Sequence, residues 1–456
     1  MNLRATQGAR SSVLRRSFHK DFPAAVRGEG VYVWDSDGKR YLDFSGSAAV
    51  NFVGHGVAEV SAAMMEQARQ LEFAHTSQFT TPIAEQYAQE LMEFAGKNFR
   101  GGAVYFTSGG SEAIETALKL ARQYQVEIGD PQRYQILSRT QSYHGSTLGA
   151  LSVSGNKRRR EIYLPMVREF AHIGIPYCYR CNYDCTDGCR NCGQEYATEL
   201  DQAIAASNGQ TAGFIFEPVS GATLGAVTPP PAYLQSIAGI CRRHGVLLIA
   251  DEVMTGMGRT GRNFAVDHWD VAPDILVTAK GLSSGYAPLG AVLANKKVVD
   301  ILVKGSGTFL HGFTYNAHPI CLAAGQAVLR IIRSRELVEA ATASNLHESL
   351  KSLQDLTTVG DVRGIGMLMG IEFVAGKSTK RPFPPQQNFA AQVASAASKR
   401  GLLVYPMQGC VDGTSGDHLL IAPPAIITPE QIEWSTNQLR QAIEEATENR
   451  GLRSGD

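Results

Sequence analysis

VLLIADEVMTGMGRTG, residues 246–261, decides the fold together with PDILVTAKGLSSGYAPLG, residues 273–290. Each stretch opens with a short, nearly continuous apolar run that is rich in β-branched residues. The first run ends in Asp251 and the second ends in Lys280. Continuous apolar runs are typical of strands that are buried on both faces of a parallel sheet. The two stretches therefore predict an α/β fold with a mainly parallel sheet.

A third run of the same kind, AGFIFE, residues 212–217, ends in Glu217. In open α/β sheets, ligands bind outside the carboxyl ends of the strands. We therefore expect Glu217, Asp251 and Lys280 to converge at one edge of the sheet and to form a ligand site there.

The pair of Lys280 and Asp251 suits one kind of cofactor chemistry. A lysine at a strand end can form a Schiff base with an aldehyde, and a carboxylate can keep a pyridine nitrogen protonated. Pyridoxal 5′-phosphate (PLP) needs both groups, because its protonated ring accepts electrons when a bond to the substrate's α-carbon breaks. A plain buried ion pair between the two side chains is the structural alternative.

A turn that suits a phosphate group lies between a predicted strand and a predicted helix in AVYFTSGGSEAIETALKLARQ, residues 103–123. Gly109 and Gly110 let the backbone come close to a ligand, the helix N-terminus offers free N–H groups, and Ser111 adds a hydroxyl. Such turns also occur for their geometry alone, so this motif by itself leaves both interpretations open.

A second Gly-rich motif, Gly256 to Gly261, matches the dinucleotide fingerprint G-x-G-x-x-G. That fingerprint opens a helix at its third glycine. Here the chain continues as RNFAVDHWDVAPD, which has little helical periodicity. The context therefore disfavours a dinucleotide site.

With these motifs, the sequence resembles the class III PLP-dependent aminotransferases, the group that includes 4-aminobutyrate, ornithine and β-alanine or taurine aminotransferases. The resemblance runs from about Val13 to the last predicted helix. It is strongest over residues 247–292, where Asp, Gly-Arg-Thr-Gly, Lys and Pro-Leu-Gly follow one another in the family's order. It implies PLP-dependent transferase fold type I, which is aspartate aminotransferase-like, with a large domain around a mainly parallel sheet and a smaller α+β domain.

A change in sequence character near residues 320–330, beyond which longer helical patterns dominate, predicts one domain boundary, and the resemblance implies a small domain built from both chain ends. We predict that residues 1–75 contribute to the small domain. Residues 76–325 then form the large PLP-binding domain, and residues 326–456 form the C-terminal small domain.

The resemblance also assigns roles to residues by position. Lys280 corresponds to the Schiff-base lysine that moves the proton, and Asp251 to the partner of the pyridinium nitrogen. The other cofactor positions that it implies are the phosphate turn at Gly109, Gly110 and Ser111, the ring-face residues Tyr143 and Val253, the nearby Glu217, and Thr314, which reaches the phosphate from the neighbouring subunit. The role of Thr314 implies a homodimer with shared active sites.

The activity that the resemblance implies is the transfer of an amino group from an amine or (ω-)amino acid to a keto acid, in two ping-pong half-reactions. The sequence departs from the family pattern at two places. Met254 stands where many members have Gln, and no Arg lies between Tyr405 and Pro424, where members often hold an α-carboxylate. The missing arginine keeps a PLP-dependent racemase, epimerase or phospholyase open as an alternative, and a non-catalytic scaffold is the third interpretation.

The composition excludes other classes of function. The 456 residues include 43 Lys or Arg and 43 Asp or Glu, and this balance argues against nucleic acid or a membrane surface as a partner. The first twenty residues hold five Lys or Arg and no acid, which is typical of a mitochondrial transit peptide. Because the resemblance already begins at Val13, we expect a cytoplasmic protein instead.

Five of the eight cysteines lie in one short segment, PYCYRCNYDCTDGCRNCG, residues 176–193. Two C-x2-C pairs in this segment have the spacing of a structural zinc site or of iron–sulfur ligation. Some 4-aminobutyrate aminotransferases carry such a cluster between subunits, in a comparable region. A loop of reduced thiols is the structural alternative, and the five candidate ligands are Cys178, Cys181, Cys185, Cys189 and Cys192.

Overall fold

The computed structural model describes residues 12–18, 21–183, 189 and 192–449. Most of the segment that raised the question of a transit peptide, including residues 1–11, lies outside these ranges. Cys185, one of the five candidate metal ligands, lies outside them as well.

The strands of the described residues form three sheets. In chain order they are β1 (Ala25–Glu29), β2 (Tyr32–Asp35), β3 (Arg40–Asp43), β4 (Ala103–Thr107), β5 (Gln135–Arg139), β6 (His172–Ile173), β7 (Thr211–Phe216), β8 (Leu247–Asp251), β9 (Ile275–Thr278), β10 (Gly290–Ala294), β11 (Val359–Ile365), β12 (Leu368–Phe373), β13 (Leu402–Leu403), β14 (Tyr405–Gln408) and β15 (Asp417–Ile421).

The largest sheet has seven strands in the order β4-β10-β9-β8-β7-β5-β6. The pairs β5–β6, β5–β7, β7–β8 and β8–β9 are parallel, whereas β10 runs antiparallel to both of its neighbours. This arrangement confirms the predicted α/β class with a mainly parallel sheet. The three apolar runs of the sequence are β7, β8 and β9, which lie side by side at the centre of the sheet.

Both faces of this sheet are buried, which explains why its strands read as continuous apolar runs. Along β8, Leu248 and Ala250 point into one hydrophobic core, while Ile249 between them points into the other. Successive side chains of a strand alternate between faces, so each face needs its own helical cover. The helix that follows β4 covers the second face with a stripe that includes Ile114 and Ala117.

The helices surround the sheets. In chain order they are α1 (Gly46–Ala49), a short turn with left-handed residues, α2 (Ala58–Gln70), α3 (Pro82–Ala95), α4 (Gly110–Glu127), α5 (Leu148–Val153), α6 (Lys157–Arg160), α7 (Cys192–Ala206), α8 (Tyr233–His244), α9 (Lys296–Lys304), α10 (Pro319–Ser334), α11 (Leu337–Ala343), α12 (Leu346–Lys351), α13 (Phe389–Lys399) and α14 (Pro429–Glu448).

One of the two smaller sheets combines strands from near the two ends of the chain, and the other uses C-terminal strands only. Strand β3 near the start pairs in parallel with β13 near the end, in the sheet β1-β2-β3-β13. The other small sheet, β11-β12-β15-β14, is antiparallel throughout. The pairing of β3 with β13 agrees with a small domain built from both chain ends, although the domain boundaries themselves stay a prediction.

Helix α14 begins as the sequence predicts. The Thr428 hydroxyl accepts a hydrogen bond from the Gln431 N–H, and the Gln431 side chain accepts one from the Thr428 N–H, which is a complete capping box. In the part of the chain that the structure describes, no helix combines the length and the apolar character that crossing a membrane would require.

Candidate active site

The carboxyl ends of β7, β8 and β9 meet at one edge of the large sheet, as expected from their parallel order. Glu217 directly follows β7, Asp251 ends β8, and Lys280 comes two residues after β9. All three side chains line a single cavity of about 310 Å³. The sequence-predicted convergence of these three residues is therefore present in the structure.

Lys280 sits in an unusual backbone conformation. Its φ is +45°, in the left-handed region that residues with a side chain adopt at a cost of about 1–2 kcal/mol. Burial lowers the pKa of Lys280 to about 8, and the positive charges of Arg159 and Arg259 act in the same direction. Asp251 and Glu217 oppose this shift. The result is an amine that is neutral far more often at physiological pH than an ordinary lysine.

Asp251 is buried and held by two hydrogen bonds. Its Oδ1 accepts from the Val253 N–H at 3.0 Å, and its Oδ2 lies 2.7 Å from Nδ1 of the buried His144. A carboxylate at this oxygen accepts from the tautomer of His144 that carries a proton on Nδ1. The other ring nitrogen of His144, Nε2, is buried without a partner among the described residues. His144 keeps Asp251 fixed, a role that the sequence reasoning missed although His144 adjoins the predicted Tyr143.

Glu217 is a buried residue that lines the same cavity. Its Oε1 accepts a hydrogen bond from the Gly221 N–H at 3.0 Å, and its Oε2 accepts one from the Tyr143 N–H at 3.4 Å. Burial raises the pKa of Glu217. Its hydrogen bonds fix the backbone of Tyr143, which also lines the cavity.

The Gly-rich turn opens helix α4 at the mouth of the cavity. Gly109, Gly110 and Ser111 all line it, and a Cβ on Gly110 would come within 3.1 Å of Val253 Cγ1. Gly145 faces the same turn, and a Cβ there would approach Ser111 Oγ at 2.7 Å. These glycines leave room above free N–H groups at a helix N-terminus, which is the arrangement that binds phosphate.

Thr314 is the one predicted cofactor residue that the structure places away from this cavity. It lies on an exposed turn between β10 and α10 and is not among the residues that line the cavity of its own chain. Met254, the departure from the family pattern, does line the cavity.

The second Gly-rich motif has a structural role that the sequence reasoning also missed. Arg259, within Gly256 to Gly261, is fully buried, and its guanidinium donates hydrogen bonds to the backbone carbonyls of Asn51, Ala422 and Pro423. The motif opens no helix, since only a short 3₁₀ turn follows at Ala265–Trp269. Arg259 thus ties the strand ends of the large sheet to segments from both ends of the chain.

Residues 15–443 match the family model described as aminotransferase class-III. The chain belongs to the class-III aminotransferases. Among curated proteins, this class-III aminotransferase is 41% identical over 427 residues to the uncharacterised aminotransferase YodT of Bacillus subtilis (strain 168), covering 93% of this chain and 95% of the relative. It is 34% identical over 427 residues to the adenosylmethionine-8-amino-7-oxononanoate aminotransferase of Geobacter sulfurreducens, covering 92% of each chain.

Solved structures of transaminases share the fold of this class-III aminotransferase. An amine transaminase from an uncultivated Pseudomonas species, solved in its PLP-bound form, superposes with a TM-score of 0.88 at 33% identity, over 98% of this chain and 99% of the other. A thermostable (S)-enantioselective ω-transaminase from Thermomicrobium roseum superposes with a TM-score of 0.85 at 36% identity, over 94% and 92% of the two chains. These likenesses confirm fold type I.

Proposed function

We propose that this class-III aminotransferase moves an amino group from an amine or amino acid to a keto acid, with PLP as its cofactor. The observation that carries the proposal is the convergence of Lys280 and Asp251 in one cavity, at the ends of the central strands. The family match and the PLP-bound structural neighbour support it.

The residues around the cavity fit PLP. Gly109 to Ser111 would hold the phosphate at the helix N-terminus, and the buried Asp251 would face the pyridine nitrogen. When bound, PLP supplies an electron sink that stabilises negative charge on the substrate's α-carbon. Val253 and Tyr143 would then pack against the two faces of its ring.

Lys280 has two tasks in this proposal. Its Nζ would be the group that holds the cofactor's aldehyde covalently. In its neutral form, the same amine would serve as the base that takes the proton from the substrate's α-carbon. A pKa of about 8 suits both tasks, because the amine must be unprotonated to bond the aldehyde and to accept a proton.

Asp251 and His144 act as a positioning pair. The ionised Asp251 favours a proton on the pyridine nitrogen, which makes the ring a better electron acceptor. His144 donates its Nδ1–H to Asp251 Oδ2 and so holds the carboxylate at a fixed angle.

The proposal includes a homodimer in which Thr314 of each chain serves the other chain's site. The surface around Thr314 supports this, because Leu310 and Tyr315 are 77% and 62% exposed. Tyr315 also packs on Phe73, with ring centroids 5.8 Å apart. Exposed apolar side chains that cluster in this way are typical of protein–protein interfaces.

A substrate carboxylate needs a cationic side chain to bind it. No Arg lies between Tyr405 and Pro424, so this side chain must come from another part of the protein. Arg159 is our candidate. Its guanidinium stacks 4.1 Å from the ring centroid of Tyr143, and its charge lowers the pKa of Lys280. In the described part of the chain, no carboxylate lies within ion-pair distance of Arg159. A guanidinium that is stacked but not paired can bind a carboxylate in a bidentate fashion.

A half-reaction tests the proposed function. The PLP-loaded protein is mixed with β-alanine, 4-aminobutyrate or a simple primary amine in the absence of an acceptor, and the cofactor is then extracted and identified. We expect conversion of pyridoxal phosphate to pyridoxamine phosphate by at least one donor, and no conversion by Lys280→Ala. If no donor converts the cofactor, while a chiral amino acid racemises without an acceptor, the alternative of a racemase replaces transamination.

A further inference from the structure

Three of the described cysteines in the cysteine segment, Cys178, Cys189 and Cys192, converge at a place apart from the cofactor cavity. Cys178 begins a 3₁₀ turn after β6, Cys189 lies in the loop that follows, and Cys192 opens helix α7. Their three Sγ atoms all lie within 4.8 Å of one another. Cys192 is buried, and the other two are half-buried. None of the three lines the cofactor cavity.

The spacing of these sulfurs suits one tetrahedral ion. Zn²⁺ binds thiolates at about 2.3 Å, which sets neighbouring sulfurs about 3.8 Å apart at tetrahedral angles. Three sulfurs within 4.8 Å of each other therefore need only a small contraction. An iron–sulfur cluster fits less well, because thiolates on different irons are held apart by the irons and sulfides between them.

A fourth thiol, that of Cys181, lies in the same turn but outside the group of three whose Sγ atoms are within 4.8 Å of one another. Cys181 follows Cys178 by three residues, which is the usual spacing of paired zinc ligands. Its Sγ lies 3.6 Å from the Tyr196 hydroxyl. Tyr196 is one helical turn beyond Cys192 on α7, and residues four apart share a helix face. Cys181 thus lies along the face of α7 that carries Cys192.

We propose that Cys178, Cys181, Cys189 and Cys192 bind one Zn²⁺ as a structural site. Each thiol gives up its proton to solvent when the ion binds, so four thiolates surround the metal. The site links the loop after β6 to the start of α7. It does not depend on the proposed aminotransferase function, and its test can fail while transamination stands.

The ion would fix the turn that contains Cys178 and Cys181. This turn connects the cysteine segment to the antiparallel small sheet. Arg180, between Cys178 and Cys181, donates from Nε to Glu372 Oε1 at 2.6 Å, and Tyr177 also donates to Glu372. Glu372 lies on β12 of the antiparallel small sheet. A metal that fixes the turn therefore also fixes the contact between the cysteine segment and this sheet.

Metal content tests the site directly. The full-length, PLP-loaded protein is dialysed without chelator and analysed for zinc, iron and acid-labile sulfide. We expect about one zinc per chain in the wild type and in Cys321→Ser, a half-buried thiol elsewhere in the chain, and at least a tenfold lower zinc content in Cys189→Ser and in Cys181→Ser. Cobalt exchanged into the wild type and Cys321→Ser should give the visible absorption of a tetrahedral cobalt thiolate, a readout that does not depend on whether the serine variants fold.

A zinc content below about 0.1 per chain in the wild type, after expression with added zinc, would overturn the site. Iron with labile sulfide in place of zinc would overturn it as well. So would zinc that is retained by Cys189→Ser or by Cys181→Ser. Disulfide-linked peptides from this segment in the freshly purified protein would also overturn it, because oxidised thiols cannot bind the ion.

Discussion

Two clusters of charged and polar side chains in this molecule differ in whether their buried polar atoms have hydrogen-bond partners. At the edge of the large sheet, His144 Nε2 is buried without a hydrogen-bond partner among the residues that the structure describes. At the junction of the cysteine segment with the small sheet, Glu372 accepts from Arg180, Arg363 and Tyr177. Buried polar groups are normally satisfied. The first cluster is therefore arranged for a ligand, and the second holds the fold.

The small-sheet cluster also reaches the walls of the cavity. Arg363 donates from Nε to the Gly225 carbonyl at 2.8 Å, and His418 Nε2 lies 2.8 Å from the Ala222 carbonyl. Ala222 lines the cofactor cavity. Pairing in the second cluster thus supports the backbone around the first, while its own charges stay away from the chemistry.

The largest effect is expected when the charge of Asp251, in the cluster at the edge of the large sheet, is removed. We expect Asp251→Asn to lower the rate of the half-reaction by about 10³-fold, because a neutral amide no longer favours the protonated pyridine nitrogen. Stopped-flow measurement of cofactor conversion gives the rate, and thermal unfolding checks the fold. A rate within about threefold of the wild type would show that Asp251 does not face the ring nitrogen.

Replacing the carboxylate of Glu372 tests the cluster beside the small sheet. Here the expected loss is in stability, whereas for Asp251 it is in rate. Glu372→Gln leaves the half-buried Arg180 without its carboxylate and leaves Arg363 with Asp361 alone, so we expect the free energy of unfolding to fall by about 1–3 kcal/mol. The matched control is Asp355→Asn, which breaks the exposed pair with Arg440 and should cost less than about 1 kcal/mol. Denaturant titration measures both, and equal losses in the two variants would contradict the comparison.

Arg159, which stacks on the cavity-lining Tyr143, provides the next test of the cluster at the sheet edge. We expect Arg159→Met to raise the KM for a keto-acid acceptor about tenfold, the loss of one charge-assisted contact, with a much smaller change for an uncharged amine donor. Arg158→Met is the control, because Arg158 is on the same short helix but donates to Gln408 instead. Steady-state kinetics with both substrates decides. Equal effects of the two variants would remove Arg159 from the substrate site.

The pKa of Lys280 predicts the smallest effect. The neutral amine bonds the aldehyde, so attachment of PLP to the apoprotein should speed up as the pH rises and should level off above about 8. At pH 7 about 10% of the Lys280 side chains should be neutral, far more than for an ordinary lysine. Mass spectrometry after borohydride reduction follows the attachment. A midpoint near 10.5 would show that burial does not lower the pKa of Lys280.

The sequence predicted the sheet edge better than it predicted the cluster around Glu372. Asp251 and Lys280 end apolar runs, and parallel strands bring their carboxyl ends together whatever the intervening loops do. Glu372, Arg180 and Arg363 have no such pattern, because their meeting depends on how one sheet packs on a loop of another part of the chain. His144 falls between these cases, since its neighbour Tyr143 could be predicted but its hydrogen bond to Asp251 could not.

By itself the sequence determined the class of the fold and the residues at the ends of the central strands, because hydrophobic patterning and strand-end positions are local properties of the chain. Only the tertiary structure decided that Arg259 ties both chain ends to the site and that Cys178, Cys189 and Cys192 come together. It also showed that Lys280 lies in a setting that lowers its pKa. These features arise from contacts between residues far apart in sequence, and burial and charge act through distances that no local pattern records.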